Sequence, residues 1–212
     1  MKYSLLVLIF VVCTSLLTQA ASAFDRTQIA DVADDVSPLL IGQSVPNSTL
    51  LTVDGAPVSL KALTLEKPSV IIFYRGGWCP YCNRQLAGLK DIEEQLDALG
   101  YQIIAVSPET PAQLQAQKLQ EKFTVRLLSD ASLDTIKGFG IAFYVDDQTT
   151  SKYKTSWDID LNQQDKSGKA VLPAPAVFIL DTKGKVKFSF VNPDFKERLS
   201  PEFLLSAAQL LQ

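Results

Sequence analysis

The sequence predicts an α/β fold with a mixed central sheet, helices on both faces of the sheet and an N-terminal β-hairpin. Three observations lead to this fold class. Apolar runs of strand length alternate with segments whose apolar residues recur at helical spacing. The central runs are unbroken, as they are in strands buried on both faces. Short strands separated by tight-turn residues stand at both ends of the order.

Composition excludes several classes of function. The chain has 212 residues, enough for one domain, and its 47% apolar and 20% charged residues exclude disorder, collagen and coiled coil. A formal net charge of −3 gives no basic surface for nucleic acid. The chain has no histidine, which excludes Ser-His-Asp and Cys-His relays and histidine metal sites. Catalysis must therefore use carboxylates, amines or the three cysteines.

Residues 1–23 have the pattern of a secretory signal peptide. Lys2 supplies a positive charge, residues 5–17 are apolar, and residues 21–23 place small side chains before Phe24. An uncleaved N-terminal anchor is the alternative. We expect cleavage before Phe24 and export to the periplasm or secretion, with no membrane attachment afterwards. Cleavage would leave two cysteines.

The first elements follow a polar lead-in at residues 24–40, and the domain is assigned to residues 41–212. Residues 49–60 predict a hairpin turned at Asp54-Gly55, because this dipeptide favours the positive φ of a tight turn. Residues 69–74 form an unbroken apolar run, which predicts a strand buried on both faces.

Helices and strands then alternate along the chain. Apolar residues recur at helical spacing from Cys82 to Leu99, and Gly100 stands where a C-terminal cap belongs. The next predicted elements are a strand at 103–106, a helix from Thr110-Pro111 to about Phe123, a strand at 125–128, and a short helix capped by Asp130 that runs towards Phe139.

The C-terminal part contains an insertion and a hairpin. Residues 144–172 are polar, turn-rich and weakly periodic, so we interpret them as an insertion that carries a short helix. Residues 176–180 and 186–191 predict an antiparallel hairpin, and Ser200-Pro201 opens the last helix.

The chemistry concentrates at Trp78-Cys79-Pro80-Tyr81-Cys82, between a buried strand and the start of an amphipathic helix. Unpaired backbone N–H groups and the positive end of the helix dipole stabilise a thiolate there and lower its pKa. The spacing places Cys79 and Cys82 on one face of the helix, near enough for a reversible disulfide. We expect Cys79 at the mouth and Cys82 one turn inward. Pro80 fits the first helical turn, where its missing N–H costs nothing.

Other uses of this cysteine pair can be weighed. A structural disulfide remains an alternative, although so short a loop removes little entropy from the unfolded chain. A zinc or iron site needs two more soft ligands, which the mature chain lacks. Covalent haem attachment needs histidine after the second cysteine, where Asn83 stands. We therefore expect no metal and no cofactor.

The segment Phe73-Tyr74-Arg75-Gly76-Gly77-Trp78-Cys79-Pro80-Tyr81-Cys82 resembles the active-site segment of the thioredoxin-like alkyl hydroperoxide reductase/thiol-specific antioxidant family, in particular its peroxiredoxin-like group. The resemblance runs from about Ile41 to the C-terminus and implies a thioredoxin-like fold. Supporting segments are Leu128-Ser129-Asp130, Phe139-Gly140-Ile141, residues 172–176 and residues 191–194, and Asn192, Asp194 and Arg198 match a family segment.

The resemblance implies two different assignments of the cysteines. Aligned with peroxiredoxins, Cys82 falls at the peroxidatic position, while Cys79 replaces the usual Thr and Arg75 the usual Pro. Aligned with thioredoxins, Cys79 is the nucleophile and Cys82 the resolving cysteine. That alignment also implies that Pro175 is a cis-proline facing the disulfide, with a trans proline at a strand start as the alternative.

The mechanism predicted from the residues is dithiol-disulfide exchange. The Cys79 thiolate attacks a sulfur or a peroxide oxygen, Cys82 then closes the disulfide, and an outside reductant resets the pair. Arg75 is near enough in sequence to favour the thiolate or bind a peroxide, with a solvated surface charge as the alternative. Trp78 and Tyr81 are predicted to pack around the sulfurs.

Three functions follow from this mechanism. The first is an exported antioxidant enzyme, a thiol-dependent peroxidase that reduces hydroperoxides at the expense of a thioredoxin-type reductant. The second is a protein disulfide reductase or oxidase of the thioredoxin type. The third is a non-enzymatic copper chaperone, although such proteins use a wider cysteine spacing and a distant histidine.

Overall fold

The computed structural model describes residues 25–121, 125–161 and 167–212. The predicted signal peptide and the predicted end of a helix near Phe123 lie outside these residues. No helix in the described part of the chain is long and apolar enough to cross a membrane.

Strands and helices alternate along much of the described part of the chain. The strands are β1 (Thr49–Thr52), β2 (Pro57–Ser59), β3 (Ser69–Phe73), β4 (Gln102–Ser107), β5 (Arg126–Ser129), β6 (Ala142–Tyr144), β7 (Val171–Pro173), β8 (Ala176–Leu180) and β9 (Val186–Val191). The helices are α1 (Leu60–Glu66), α2 (Pro80–Gly88), α3 (Glu93–Ala98), α4 (Pro111–Glu121), α5 (Asp134–Gly138), α6 (Asp147–Trp157) and α7 (Pro201–Leu210).

One mixed sheet holds most of the described strands, in the order β2-β1-β5-β4-β3-β8-β9. The strands β3, β4 and β5 run parallel, and the other neighbours are antiparallel. The central strand β3 is buried at every residue, as its unbroken apolar sequence predicts. The predicted hairpin of β1 and β2 and that of β8 and β9 are confirmed. A separate two-stranded sheet pairs β6 with β7.

The two faces of the sheet carry two apolar cores, because successive residues of a strand point to opposite sides. Val70 and Ile72 of β3 contribute to the core under α2, α3 and α7. Ile71 and Phe73 contribute to the opposite core, under α1 and α5. The second core is closed by Phe73, Phe139 and Phe178, whose ring centroids are 4.7, 6.1 and 4.9 Å apart in pairs. The predicted thioredoxin-like fold, with helices on both faces, is confirmed.

The prediction of a single helix from Cys82 to Leu99 is wrong, because the structure interrupts it. The buried face that the spacing predicted is correct. The structure has α2, then a 3₁₀ turn at Leu89–Asp91, then α3. The break falls at Ile92, whose φ of −122° and ψ of 0° are not helical. Leu89, Ile92 and Leu96 are all buried nevertheless. The apolar spacing therefore records burial on one face and does not reveal the interruption.

Several short elements differ from the predictions. The predicted hairpin ran to Leu60, but that residue begins α1, because the hydroxyl of Ser59 accepts from the Ala62 amide at 3.3 Å and caps a helix there. The short helix predicted within residues 144–172 is present as the 11-residue α6. The strands β6 and β7 were not predicted, since three-residue strands are too short to show a period of two.

Asp130 accepts hydrogen bonds from the first turn of α5, although the N-cap residue is Leu133 and the helix begins later than predicted. The carboxylate oxygens of Asp130 accept from the amides of Thr135 at 3.2 Å and Ile136 at 2.7 Å. The side chain is 1% exposed. Burial raises the pKa of Asp130 to about 6, and the hydrogen bonds from Ile136 and Thr135 oppose this shift.

Asp130 should make the protein less stable as the pH rises. Because its folded-state pKa lies above its ordinary value of 3.8, the stability linked to its proton is complete below that value and is lost as pH rises through about 6. The loss is on the order of 3 kcal/mol, at about 1.4 kcal/mol per pKa unit. We expect Asp130→Asn to lack this loss, measured as the free energy of urea unfolding at about pH 4 and about pH 7.5.

The control for this prediction is Asp54→Asn, at an exposed position in the turn between β1 and β2. It should keep the pH dependence of the wild-type protein. An Asp130→Asn variant with the wild-type pH dependence would show that the carboxylate is not desolvated.

Candidate active site

The cysteine motif stands where the central strand passes into α2. β3 ends at Phe73, a short loop follows, and Cys79 occupies the N-cap position of α2. Pro80 is the first residue of the helix, as predicted. The sulfur of Cys79 accepts from the Cys82 amide at 3.4 Å, so one unpaired amide of the helix N-terminus is directed at it. This is a position that stabilises a thiolate.

The structure pairs Cys79 and Cys82 as a disulfide, with Cα atoms 5.2 Å apart. Cys79 is 1% exposed and Cys82 is fully buried. Cys79 forms part of the wall of a pocket, while Cys82 lies further along α2 and packs into the core. A reagent that enters the pocket therefore reaches Cys79 first.

The pocket above Cys79 has a volume of about 440 Å³ and aromatic walls. The side chains that form those walls are Trp78, Tyr81, Tyr153, Trp157 and Phe195. Tyr153 packs edge-on against Trp78 and Trp157, with ring centroids 5.3 and 5.1 Å away. Tyr81 makes the same kind of contact with Phe195 at 5.7 Å. The site thus offers a small apolar chamber beside a sulfur atom.

Arg75 is buried at the base of this pocket, so the alternative of a solvated surface charge is wrong. Its guanidinium lies 4.9 Å from the ring centroid of Trp78 and 4.2 Å from that of Phe195. It also donates a hydrogen bond to the hydroxyl of Tyr153, but its Nε has no partner. Burial lowers the pKa of Arg75, and the Tyr153 hydroxyl opposes this. The group remains a cation at neutral pH, since a free guanidinium titrates far above it.

A second guanidinium lies next to the other sulfur. Arg198 Nη2 donates to Cys82 Sγ at 3.5 Å. Burial, with a contribution from the nearby Arg75, lowers the pKa of Arg198 to about 10. Two cations therefore flank the disulfide, and both favour a thiolate when it opens.

The loop before Cys79 is held from behind by a chain of amide side chains. The hydroxyl of Tyr74 donates to Gln117 at 2.9 Å, and Gln117 donates to Asn83 at 3.0 Å. The Asn83 amide in turn donates to the carbonyl of Gly77 at 2.7 Å. This chain joins the end of β3, α4, α2 and the loop, so the position of the cysteine pair is fixed by the sheet.

Two glycines let the loop approach these groups. A Cβ atom on Gly76, whose φ is +153°, would lie 2.9 Å from the carboxyl carbon of Glu109. A Cβ atom on Gly77 would lie 2.9 Å from the amide carbon of Gln117. Larger residues at either position would push the loop away from its supports.

The cis-proline expectation is wrong. The described residues contain no cis peptide bond, and Pro175 lines a neighbouring cavity of about 220 Å³ rather than the pocket over Cys79. The Ala174 amide donates to Ile141 at 2.8 Å, and the Pro175 carbonyl accepts from Asn192 at 3.2 Å. These bonds hold the passage from β7 to β8 extended, where a trans proline at the start of a strand fits.

The structure brings most of the predicted site residues together. Arg75, Trp78, Cys79, Pro80 and Tyr81 all line the pocket. Sequence reasoning missed the residues that complete it, which are Tyr153, Trp157, Ile159, Phe195 and Lys196. A detectable signal was the spacing of Tyr153 and Trp157, which are four residues apart on a helix and therefore share a face.

Comparison with known sequences identifies the family of the chain. A sequence model of the AhpC/TSA family matches residues 41–189, which is more than half of the chain. The chain belongs to the AhpC/TSA family. Within this family it is peroxiredoxin-like, which confirms the resemblance seen in the active-site segment.

Individual relatives of this AhpC/TSA member are peroxiredoxins. A Bcp protein of Haemophilus influenzae is 35% identical over 107 residues, which cover 50% of this chain and 68% of the relative. Chloroplastic peroxiredoxin Q of Populus jackii is 26% identical over 179 residues, covering 84% of this chain and 70% of the relative. Reduced Prx3 of Vibrio vulnificus, solved with H₂O₂, has a TM-score of 0.65 and 20% identity, covering 80% of this chain and 99% of that chain. This last comparison supports the fold alone.

Arg198 should control the acidity of Cys82. We expect Arg198→Met, which keeps the length of the side chain but removes its charge, to raise the pKa of the Cys82 thiol in the reduced protein by about one unit. The measurement is the pH dependence of alkylation, with the modified cysteine identified by peptide mass spectrometry. Arg84→Met is the matched control, because Arg84 is an exposed cation on α2, the helix that carries Cys82. An equal shift in both variants would contradict a specific role for Arg198.

Proposed function

We propose that this AhpC/TSA member is a thiol-dependent peroxidase that reduces hydroperoxides with Cys79 and Cys82 and is reset by a thioredoxin-type reductant. The observation that carries the proposal is the paired sulfurs at the start of α2, flanked by two guanidinium groups. The AhpC/TSA family match and the peroxiredoxin relatives support the same chemistry.

The oxidative half of the cycle begins with the reduced pair. The thiolate of Cys79 attacks the terminal oxygen of the hydroperoxide, the O–O bond breaks, and the departing alkoxide takes a proton to become an alcohol. Cys79 is then a sulfenic acid. The thiol of Cys82 attacks its sulfur, which releases water and forms the disulfide.

The reductive half returns two electrons to the sulfurs. A dithiol reductant attacks one sulfur of the disulfide, forms a mixed disulfide and then closes its own disulfide, which leaves Cys79 and Cys82 as thiols. The reductant is oxidised by the same two electrons that the peroxide consumed.

The two arginines supply the electrostatic part of this cycle. Arg75, at the base of the pocket, faces the space into which the peroxide enters. A cation there stabilises both the attacking thiolate and the negative charge that develops on the departing oxygen. The aromatic walls lower the effective dielectric constant beside the sulfur and so strengthen both interactions.

We propose Cys79 as the attacking cysteine, because it lines the pocket and caps α2. The peroxiredoxin alignment proposes Cys82 instead, and the contact between Arg198 and Cys82 favours that order. The two orders make opposite predictions for single cysteine variants.

With H₂O₂, Cys82→Ser should accumulate a sulfenic acid on Cys79, trapped with dimedone and located by mass spectrometry. Cys79→Ser should react with peroxide no faster than a free thiol, because its remaining sulfur is buried away from the pocket. Rapid sulfenic acid formation on Cys82 in Cys79→Ser would reverse the order of attack. A wild-type dithiol that reacts no faster than free dithiothreitol would refute the peroxidase proposal.

A second candidate function is reduction or oxidation of disulfides in other proteins. The Cys-x-x-Cys pairing at a helix N-terminus favours it, since such pairs exchange with disulfides. The enclosed position of Cys79, which is 1% exposed, favours a small substrate over a folded protein. Faster turnover of a protein disulfide than of hydroperoxide, under the same reductant, would reverse this preference.

We also propose that the protein acts after export, on the basis of the sequence of residues 1–23. An oxidising compartment would re-form the disulfide continually, so a partner must deliver the reducing equivalents.

For a chain expressed in a Gram-negative bacterium, we expect the periplasmic fraction to hold a protein whose N-terminal residue is Phe24. Ile9→Arg, which places a charge in the apolar stretch, should leave the full chain uncleaved inside the cell. A wild-type protein that retains Met1 in the cytoplasmic fraction would contradict export.

A further inference from the structure

We propose that Glu109 is a positioning residue that controls how readily Cys79 becomes a thiolate, acting through the single peptide unit between Gly76 and Gly77. The inference rests on the proposed function only in taking Cys79 as the reacting thiol.

The geometry joins the two groups through one planar unit. The amide of Gly77 donates to the Glu109 carboxylate at 2.7 Å. The carbonyl of Gly76 accepts from the amide of Cys79 at 3.1 Å. The Gly76 carbonyl and the Gly77 amide belong to the same peptide bond and are rigidly coupled. The carboxylate and the Cys79 backbone therefore lie at the two ends of one hydrogen-bonded chain.

The two hydrogen bonds and the peptide unit between them carry an electrostatic effect from Glu109 to Cys79 as well as fixing their positions. Hydrogen bonds in series polarise one another, and they are electrostatically stronger in a low-dielectric interior than in water. A negative charge on Glu109 makes the Gly76 carbonyl more negative, and so binds the Cys79 amide more tightly. Both the charge itself and the polarised carbonyl then oppose a second negative charge on the Cys79 sulfur.

Glu109 is held rigidly in the interior, beyond the end of β4. The residue is 5% exposed. Its backbone amide donates to the Ser107 hydroxyl at 3.2 Å, and its carbonyl accepts from the Ser129 hydroxyl at 2.6 Å. None of the ion pairs found among the described residues includes it. Such a burial is costly for a carboxylate, and the Gly77 amide offsets it in part.

Among the described residues, three titratable or charged side chains lie at or near these linked hydrogen bonds, namely Glu109, Tyr74 and Arg75. Burial raises the pKa of Glu109, and hydrogen bonds from Gly77 and Ser107 oppose the shift. Tyr74, which directly follows β3, has its pKa raised well above its ordinary value by burial and by Glu109, so it stays neutral. Arg75 acts on Cys79 from the pocket side and favours the thiolate. Glu109 thus opposes the Cys79 thiolate that Arg75 favours.

The test separates charge from shape. Glu109→Gln keeps an oxygen that can accept from the Gly77 amide but removes the charge, while Glu109→Ala removes both. We expect Glu109→Gln to lower the pH midpoint of Cys79 alkylation in the reduced protein by about one unit. This shift corresponds to about ten times more thiolate at a pH that lies below both midpoints and at which Glu109 of the wild-type protein is ionised. Glu94→Gln, at an exposed position on α3, is the control and should leave the midpoint unchanged.

A purely structural role gives a different pattern. In that case Glu109→Gln keeps the wild-type midpoint and Glu109→Ala alone changes it, which would overturn the proposal. The measurement needs no peroxide, so a failed peroxidase assay leaves it intact. Conversely, an unmoved midpoint in a protein that reduces peroxide would refute only the role of Glu109.

A second measurement needs no variant, in case the substitutions prevent folding. Coupling between two titrating sites is reciprocal. A Cys79 thiolate in the reduced protein must therefore raise the pKa of Glu109 by as much as the Glu109 charge raises the pKa of Cys79. Infrared difference spectra of the wild-type protein, titrated oxidised and reduced, follow the protonated carboxyl band. Identical carboxyl titrations in both redox states would overturn the inference.

Discussion

The junction between the end of β3 and the start of α2 is the constraint on which the site depends. The cysteine pair can cap α2 only if the intervening loop turns tightly, and that turn needs Gly76 and Gly77 against Glu109 and Gln117. The supports come from β4 and α4, which are fixed by the parallel pairing of β3 with β4. The sheet therefore determines where the sulfurs stand.

Burial sets the strength of the electrostatics around this junction. Arg75 and Glu109 are buried near the disulfide and Arg198 is partly buried there, at a cost that packing elsewhere must offset. The second core, with its three contacting phenylalanine rings, lies on the opposite face of the same strand and contributes to that offset. Charges that would be screened at a surface act on the sulfurs here with little attenuation.

Local pattern was enough to predict the sheet and the position of the sulfurs. Unbroken apolar runs identified β3, β4 and β8, and the motif from Trp78 to Cys82 identified the start of α2. The three-residue strands β6 and β7 carry too little pattern to be found. The burial of Arg75 and the partnership of Glu109 with Gly77 depend on contacts between residues far apart in the chain, which periodicity cannot encode. The prediction of a cis-proline at Pro175 depended on an analogy with thioredoxins. In the structure the Pro175 carbonyl accepts from the Asn192 amide, and the Ala174 amide donates to the Ile141 carbonyl.

The outer wall of the pocket belongs to α6, which is inserted between the two strands of the small sheet rather than attached to the junction. Tyr153 and Trp157 project from this helix over a sulfur whose own supports lie elsewhere. Trp157 thus shapes the pocket from a stretch of the chain that carries no cysteine, whereas Tyr153 also accepts a hydrogen bond from Arg75. Substitutions at Trp157 can change which molecules enter the pocket while leaving that hydrogen bond and the cysteine pair in place, an arrangement that lets one reaction be adapted to new substrates over evolutionary time.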